Sequence, residues 1–228
     1  MTDLTVRTNS PEWRVWQILD SAFPVGGFAH SGGFEAAWQA GWIRSSGDAA
    51  LFVVESLEQV ASGAMAFVVA AVQGENPLQL DAVQETYLSN HVANRASRLQ
   101  GMTFLATAVE VFDGAGLKEL RQRFLQAGSP GHFAVVFGAV LRELGIEQKM
   151  ALKMFLFVCV RGILSAGVRL GVLGPYEAQR LQGRLDGVLD AAATRAESMT
   201  LDNVCQTAPL LEILQMGQDR LYSRLFQS

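Results

Sequence analysis

Charged residues are scarce in this sequence, and no region concentrates positive charge. Only 18% of the 228 residues are charged, whereas 50% are hydrophobic, and the formal net charge is −4. A nucleic-acid-binding protein is therefore not expected, since such proteins place clustered Lys and Arg against the phosphates. A composition this apolar indicates instead that part of the hydrophobic surface contacts partner molecules, as in an obligate or semi-obligate assembly.

The sequence has only two cysteines and no recognisable export signal. Cys159 and Cys205 lie far apart without Cys-x-x-Cys spacing, so we expect two reduced thiols in the core. The N-terminal stretch MTDLTVRTNSPEWR lacks the basic-then-apolar order of an export signal, which predicts a cytoplasmic protein. The most apolar stretch, residues 150–174, contains three basic residues and is predicted to be a buried helix rather than a membrane span.

The dominant hydrophobic period is helical, and no segment alternates in the manner of a strand. Ser10 is the expected N-cap of the first helix and Pro11 its first residue. The sequence therefore predicts a single all-α domain, a bundle of nine to ten helices with short connections over residues 1–228. The expected helices are 11–20, 34–42, 48–72 (or two helices split near Gly63), 81–112, 117–125, 131–144, 147–170, 175–197 and one beginning at 209.

The stretch GGFAHSGGFE, residues 27–36, has the Gly-x-x-x-x-Gly spacing that opens a nucleotide-binding P-loop. A P-loop continues with Lys and then Ser or Thr, whereas this chain has Gly33 and Phe34 there. Nucleotide binding is therefore not expected. The four glycines at 26, 27, 32 and 33 permit positive φ and close backbone approach, so we interpret the stretch as a structural turn between two helices. We expect its His30 and Glu35 to be held by other parts of the chain.

Two polar stripes interrupt the apolar helices. The first follows one face of a predicted helix and consists of His91, Asn94, Arg95 and Arg98. The second lies within the most apolar helix and consists of Arg161, Ser165 and Arg169. A buried guanidinium must be paired or hydrogen-bonded. These arginines therefore either bind helix-terminal carbonyls and the carboxylates of Asp20 and Glu35, or they face a partner.

Five blocks of the chain, in order, resemble the urease accessory protein UreF family. They are DSAFPVGGFAHSGGFEAAWQAGW (20–42), NRASRLQG (94–101), GHFAVVFG (131–138), RGILSAGVRLGVLGPYEAQRLQ (161–182) and LYSRLFQS (221–228). The resemblance implies an all-helical, dimer-forming scaffold without enzymatic activity. It also implies that the scaffold couples the GTPase UreG to UreD (also called UreH) and apo-urease, during nickel insertion and lysine carbamylation. One departure is Gln218, where many members are expected to have histidine.

Through this resemblance, a set of residues becomes the candidate partner-binding or structural positions. They are Asp20, Ser21, Pro24, Gly26, Gly27, His30, Ser31, Gly33, Glu35, Arg95, Arg98, Gly131, His132, Arg161, Ser165, Arg169, Tyr222, Arg224 and Phe226. Residues 209–228 are expected to form a C-terminal docking helix and tail for UreD, poorly ordered in its absence. Two aromatic residues and an arginine within five residues are typical of a binding hot spot, although the tail's apolar residues could instead pack on the domain.

Two other functions remain open. A small helical enzyme could use His132, Arg161 and Arg169 on an anionic substrate, which would require a deep polar pocket containing all three. A metallochaperone could bind Ni²⁺ itself, since imidazole suits nickel. The three histidines lie on separate segments without ligand spacing, and no cofactor motif is present. We therefore expect no metal and no cofactor bound by this chain.

Overall fold

The structure, a computed structural model, describes residues 11–228, and within that range it contains twelve α-helices and no strand. The predicted all-α class is confirmed, although the helix count exceeds the predicted nine to ten. Ser10, the predicted N-cap, lies outside the described residues. The helices are α1 Pro11–Leu19, α2 Phe34–Gln39, α3 Ser46–Ser62, α4 Ala64–Gln73, α5 Pro77–Tyr87, α6 His91–Phe112, α7 Ala115–Ala127, α8 Phe133–Glu143, α9 Gln148–Arg169, α10 Pro175–Arg184, α11 Asp186–Ala196 and α12 Pro209–Met216.

The additional helices come from breaks that carry weak sequence signals. The predicted helix 81–112 is two helices, because the chain leaves helical geometry at Leu88 and Asn90 caps α6 by accepting from the N–H groups of Val92 and Ala93. The predicted helix 175–197 breaks at Leu185. The split near Gly63 is confirmed, with a bend of 42° between α3 and α4.

The core surrounds α8, which packs mainly against α4 and α6. Residues 133–141 of α8 are all buried. Gly138 permits the close contact with α4, because a Cβ there would lie 2.7 Å from the Val68 carbonyl oxygen. Aromatic rings fill the space beside it: the Phe137 ring lies 5.3 Å from those of both Phe104 and Phe155. This packing fixes α6 and α9, which carry the two polar stripes.

Helix α9 is the one helix of the described range long and apolar enough to cross a membrane, or one of two candidates if the bent pair α3–α4 counts as a span. In the fold, 61% of its most apolar window is buried inside the protein, as expected for a core helix. The prediction for the two thiols is partly wrong. Burial raises the pKa of Cys159 to about 12, but Cys205 is exposed in the segment before α12.

The aromatic residues of α1 and of the predicted helix 34–42 are less buried than their helical spacing suggests. Helix α2 ends at Gln39, before Trp42, because the chain turns through Gly41 at φ 77°. Phe34 is buried while Trp42 is exposed. In α1 the buried side chains are Val15 and Ile18, and both tryptophans of this helix face solvent.

Candidate partner-binding site

The glycine loop, residues 26–33, connects α1 to α2 and faces the C-terminal tail, residues 217–228. Gly26, Gly32 and Gly33 have positive φ, as the sequence suggested. Gly27 does not, because it begins a short 3₁₀ turn. At Gly33, with φ 87°, an added Cβ would also lie 3.0 Å from the Cβ of Gln215 on α12. The loop therefore depends on glycine both for its turn and for its contact with α12.

Glu35 at the start of α2 attaches the tail to the domain. Its side chain is buried, and the residue is only 1% exposed. One carboxylate oxygen accepts from the Leu225 N–H at 2.6 Å, and the other from the Phe226 N–H at 3.1 Å and from the Gln218 amide nitrogen at 2.7 Å. All three donors are neutral. The arginine partner that the sequence suggested for Glu35 is replaced here by two backbone N–H groups of the tail and by the Gln218 side-chain amide.

The loop and the tail also exchange backbone hydrogen bonds. The Ser31 N–H donates to the Ser228 carbonyl oxygen at 2.5 Å, and the Gln227 N–H donates to the Ala29 carbonyl oxygen at 2.9 Å. His30 Nδ1 lies 2.5 Å from Ser228 Oγ. Burial, and secondarily the charge of Arg95, lowers the pKa of His30. His30 and Glu35 are thus held by another part of the chain, as predicted from the sequence.

Arg169, in the last turn of α9, contacts both the glycine loop and the tail through its planar guanidinium. We call this contact region the loop–tail junction. The guanidinium carbon lies 4.1 Å from the ring centre of Phe28 in the loop and 4.3 Å from that of Phe226 in the tail. The group also donates to the Phe28 carbonyl oxygen. A cation between two aromatic faces holds loop and tail together.

Arg161, two turns earlier on α9, serves a different junction. It donates to the Leu19 carbonyl oxygen at the end of α1, and burial lowers its pKa while the charge of Asp20 opposes that shift. This matches the interpretation in which the arginine binds a helix-terminal carbonyl near Asp20. Arg161 therefore binds the chain before the glycine loop, at the end of α1, and Arg169 binds the loop itself at Phe28.

The first stripe divides between the tail and the core. Arg95 donates from both terminal nitrogens to the Asp219 carboxylate, at 3.1 Å and 2.9 Å. Arg224 donates to the same carboxylate at 3.0 Å. Arg98 instead lies 3.8 Å from Glu85 on α5. Within this stripe, Arg95 and His91 meet the tail that Arg169 also contacts, whereas Arg98 and Asn94 contact Glu85.

His132 belongs to a separate buried network. Its Nε2 lies 2.7 Å from a Glu85 oxygen and its Nδ1 lies 3.2 Å from Ser97 Oγ. The Asp81 carboxylate accepts from the N–H groups of Gly131 and His132, at 2.8 and 2.6 Å, and so caps the start of α8. Burial raises the pKa of Glu85, but hydrogen bonds from His132 and Asn94 outweigh this and lower it overall.

A cavity of about 730 Å³ lies beside the glycine loop, with mainly apolar walls. Ser21, Pro24 and Ser165 line it together with Arg161 and Arg169. The structure does not bring His132 to this cavity, so the three residues of the enzyme hypothesis are not gathered in one polar pocket. In residues 11–228 no group of three or more His, Cys, Asp or Glu could hold a metal ion.

The outward side of α12 is apolar, and the tail adds two exposed apolar side chains among polar ones. Leu210, Ile213 and Met216 recur every three residues along α12 and are exposed, while the opposite face packs on the domain. In the tail, Leu225 is exposed and Tyr222 is fully so, whereas Phe226 is buried. The tail therefore packs inward through some residues and presents others to solvent. We call these five exposed side chains the α12–tail face.

Gln218 and Asp219 were not among the candidate positions predicted from the sequence. Gln218 is buried and joins Glu35 to the Phe226 carbonyl oxygen, at 2.7 and 3.2 Å. The Asp219 carboxylate accepts hydrogen bonds from Arg95 and Arg224. Their partners lie more than 120 residues away along the chain, apart from neighbours within the tail, so no local spacing could have indicated these roles. The one available signal was that position 218, shortly before the terminal block 221–228, has glutamine where many family members are expected to have histidine.

The fold and this loop–tail junction define an all-helical protein with an exposed apolar face and, among the described residues, no metal cluster. Comparison with known proteins is more specific. The UreF family model matches residues 43–186, more than half of the chain. Urease accessory protein F of Arabidopsis thaliana is 36% identical over 224 residues, which cover 95% of this chain and 92% of that protein. Urease accessory protein UreF of Arthrobacter sp. (strain FB24) is 31% identical, covering 93% and 95%. The chain belongs to the UreF family.

Proposed function

We propose that this chain is a non-enzymatic scaffold in urease maturation. In this proposal it couples the GTPase UreG to UreD and apo-urease while nickel is inserted and the active-site lysine is carbamylated. Family membership supports a role in urease maturation, because the relatives are named urease accessory proteins. In this proposal the chain acts in the cytoplasm. It also forms a homodimer, for which the high apolar content is the physical support.

The observation that carries the scaffold proposal is the α12–tail face. Apolar side chains on one side of a short helix and the following tail suit an interface core better than open solvent. In this proposal the tail's contacts with Glu35 and Arg169 hold this face in position before any partner arrives, which differs from the expectation of a tail poorly ordered without UreD. Pre-organisation of this kind lowers the conformational entropy lost on binding. We therefore assign UreD to the α12–tail face.

The test uses substitutions on the exposed side, because deleting residues 219–228 would remove two of the three donors to the buried Glu35, the N–H groups of Leu225 and Phe226. Ile213→Glu places a charge on the α12–tail face at a residue that is 64% exposed. Leu51→Glu on α3 is the matched control, since that leucine is 65% exposed. Purified UreD is captured on a biosensor, and the affinity of each folded variant is measured.

We expect Ile213→Glu to weaken UreD binding at least about tenfold, because burying an unpaired carboxylate in an interface is unfavourable. Leu51→Glu should bind as the unmodified chain does, and circular dichroism should show both variants helical. Equal affinity for the two variants would overturn the assignment. Light scattering after gel filtration tests the homodimer, which requires twice the mass of one chain.

A further inference from the structure

Beside the α12–tail face, basic side chains gather around a single carboxylate. His91 and Arg95 extend from the first turns of α6, and Arg224 extends from the tail, all toward Asp219. His91 Nε2 lies 3.3 Å from Asp219 Oδ2, and the two arginines bind within 3.1 Å. We call these three basic residues, with Asp219, the basic cluster.

The basic cluster has more positive charge than its own carboxylate neutralises. Arg95 and Arg224 contribute two positive charges against the one negative charge of Asp219, which leaves an excess of one before His91 is counted. The chain as a whole has the opposite balance, 18 basic against 22 acidic residues. A locally basic site on an acidic protein creates a positive potential that attracts anionic groups to that site.

The guanidiniums of the cluster also retain free donors. Each arginine carries five N–H groups. Arg224 uses one terminal nitrogen on Asp219, and Arg95 uses two on Asp219 with a further contact to the Gln227 carbonyl oxygen at 3.4 Å. Their side chains are about half exposed. A second carboxylate could therefore bind without displacing Asp219 completely.

The cluster is continuous with exposed apolar surface. Tyr222 and Leu225 flank Arg224 in the tail, and both are exposed. A ligand bound at Arg224 would therefore lie at a segment with two exposed apolar side chains, Tyr222 two residues before the arginine and Leu225 directly after it. Free anions and phosphate groups would leave these apolar contacts unused, whereas a polypeptide with carboxylates and apolar side chains would satisfy both.

We infer that the basic cluster and its flanking Tyr222 and Leu225 bind an acidic segment of a partner protein, whose carboxylates share Arg95 and Arg224 with Asp219. The inference rests on the proposed scaffold function. It states which chemistry the partner protein presents to the α12–tail face, namely carboxylates beside apolar side chains. Charged residues at the rim of an interface mainly accelerate association and fix the register of the complex. The partner's acidic segment would do this here.

The test compares Asp219→Asn, Arg224→Glu and the control Arg180→Glu on α10, an exposed arginine far from the tail in sequence. Association with immobilised UreD is measured at low and high salt, about 0.05 and 0.3 M. Arg224→Glu should slow association about tenfold at low salt, and the difference should shrink at high salt. Asp219→Asn should accelerate association, because it removes the competing carboxylate. Arg180→Glu matches the charge change of Arg224→Glu and should have a small effect.

The two directions separate docking from a purely structural role. If Asp219 only held the tail in place, Asp219→Asn would loosen the tail and slow association, and that result would overturn the inference. Equal rates for Arg224→Glu and Arg180→Glu would also overturn it. If the unmodified chain does not bind UreD, the proposed function fails. A fluorescein-labelled peptide of alternating Glu and Leu then tests the cluster separately, against a peptide of alternating Lys and Leu. Preference for the acidic peptide, strengthened by Asp219→Asn, supports the inference, and no preference overturns it.

Discussion

Replacing Glu35 by alanine tests the loop–tail junction most severely. The substitution removes the acceptor of the Gln218 amide and of the Leu225 and Phe226 N–H groups. The carboxylate is buried, so its removal takes an acceptor from three donors away from solvent. These donors regain hydrogen bonds to water when the tail leaves the domain.

The expected size follows from these contacts. A hydrogen bond to a charged group contributes about 1.5–3 kcal/mol, so three of them form an upper bound that is not reached. Alanine also removes the unfavourable burial of a charge, and the opened tail binds water. The net effect on tail opening should therefore be about 1–3 kcal/mol, which corresponds to about a 5- to 150-fold larger opening constant.

Hydrogen exchange measured by mass spectrometry on the peptide covering residues 219–228 reports this opening directly. Exchange of the Leu225 and Phe226 amides should accelerate by that factor in Glu35→Ala, while α8 in the core retains its protection. Glu110→Ala, which removes an exposed carboxylate from α6, is the control and should leave the tail unchanged. Unchanged tail protection in Glu35→Ala would show that Glu35 does not hold the tail.

Three further perturbations follow from the same junction. Gly33→Ala should destabilise the fold by about 1–2 kcal/mol, because its φ is positive, whereas Gly187→Ala, where a Cβ meets open space, should be neutral or stabilising in thermal melts. Arg169→Leu should accelerate tail exchange several-fold, since about 0.5–2 kcal/mol of cation–π attraction is lost. Burial, and then the charge of Arg95, lowers the pKa of His30 in the folded state, so the unfolded chain binds the proton more tightly and stability falls as pH decreases through about 6.5. His30→Gln should make the melting temperature less sensitive to pH in that range, and an unaltered pH dependence would contradict this.

Several helix ends could be predicted from a proline start or a glycine stop. Pro11, Pro175 and Pro209 each begin a helix, and Gly128 ends α7. Pro77 also begins a helix, α5, whereas the prediction placed that start at residue 81. The break at Leu88 was missed because no glycine or proline marks it, and the break at Leu185 because its nearest glycines, Gly183 and Gly187, lie inside α10 and α11 rather than at the break. Asn90 was a readable N-cap signal for α6, but it lies inside a continuous helical pattern that masked it.

The site was less predictable because its contacts join distant parts of the chain. The glycine loop could be identified as a turn, and His30 and Glu35 as residues requiring partners. Those partners are Gln218, the N–H groups of Leu225 and Phe226, and the Ser228 hydroxyl. They lie about 190 residues further on, and no periodicity relates the two segments. Whether a tail residue faces inward or outward depends on the tertiary contact. The sequence therefore could not separate buried Phe226 from exposed Tyr222.

The most direct test of the scaffold proposal is whether this chain links UreG to UreD. The three purified proteins are mixed in pairs and together, and the complexes are separated by gel filtration with light scattering. The proposal predicts that UreG co-elutes with UreD only when this chain is present, and that Ile213→Glu abolishes the three-protein peak. A stable complex of UreG and UreD without this chain, or failure of the chain to bind either protein, would contradict the proposal.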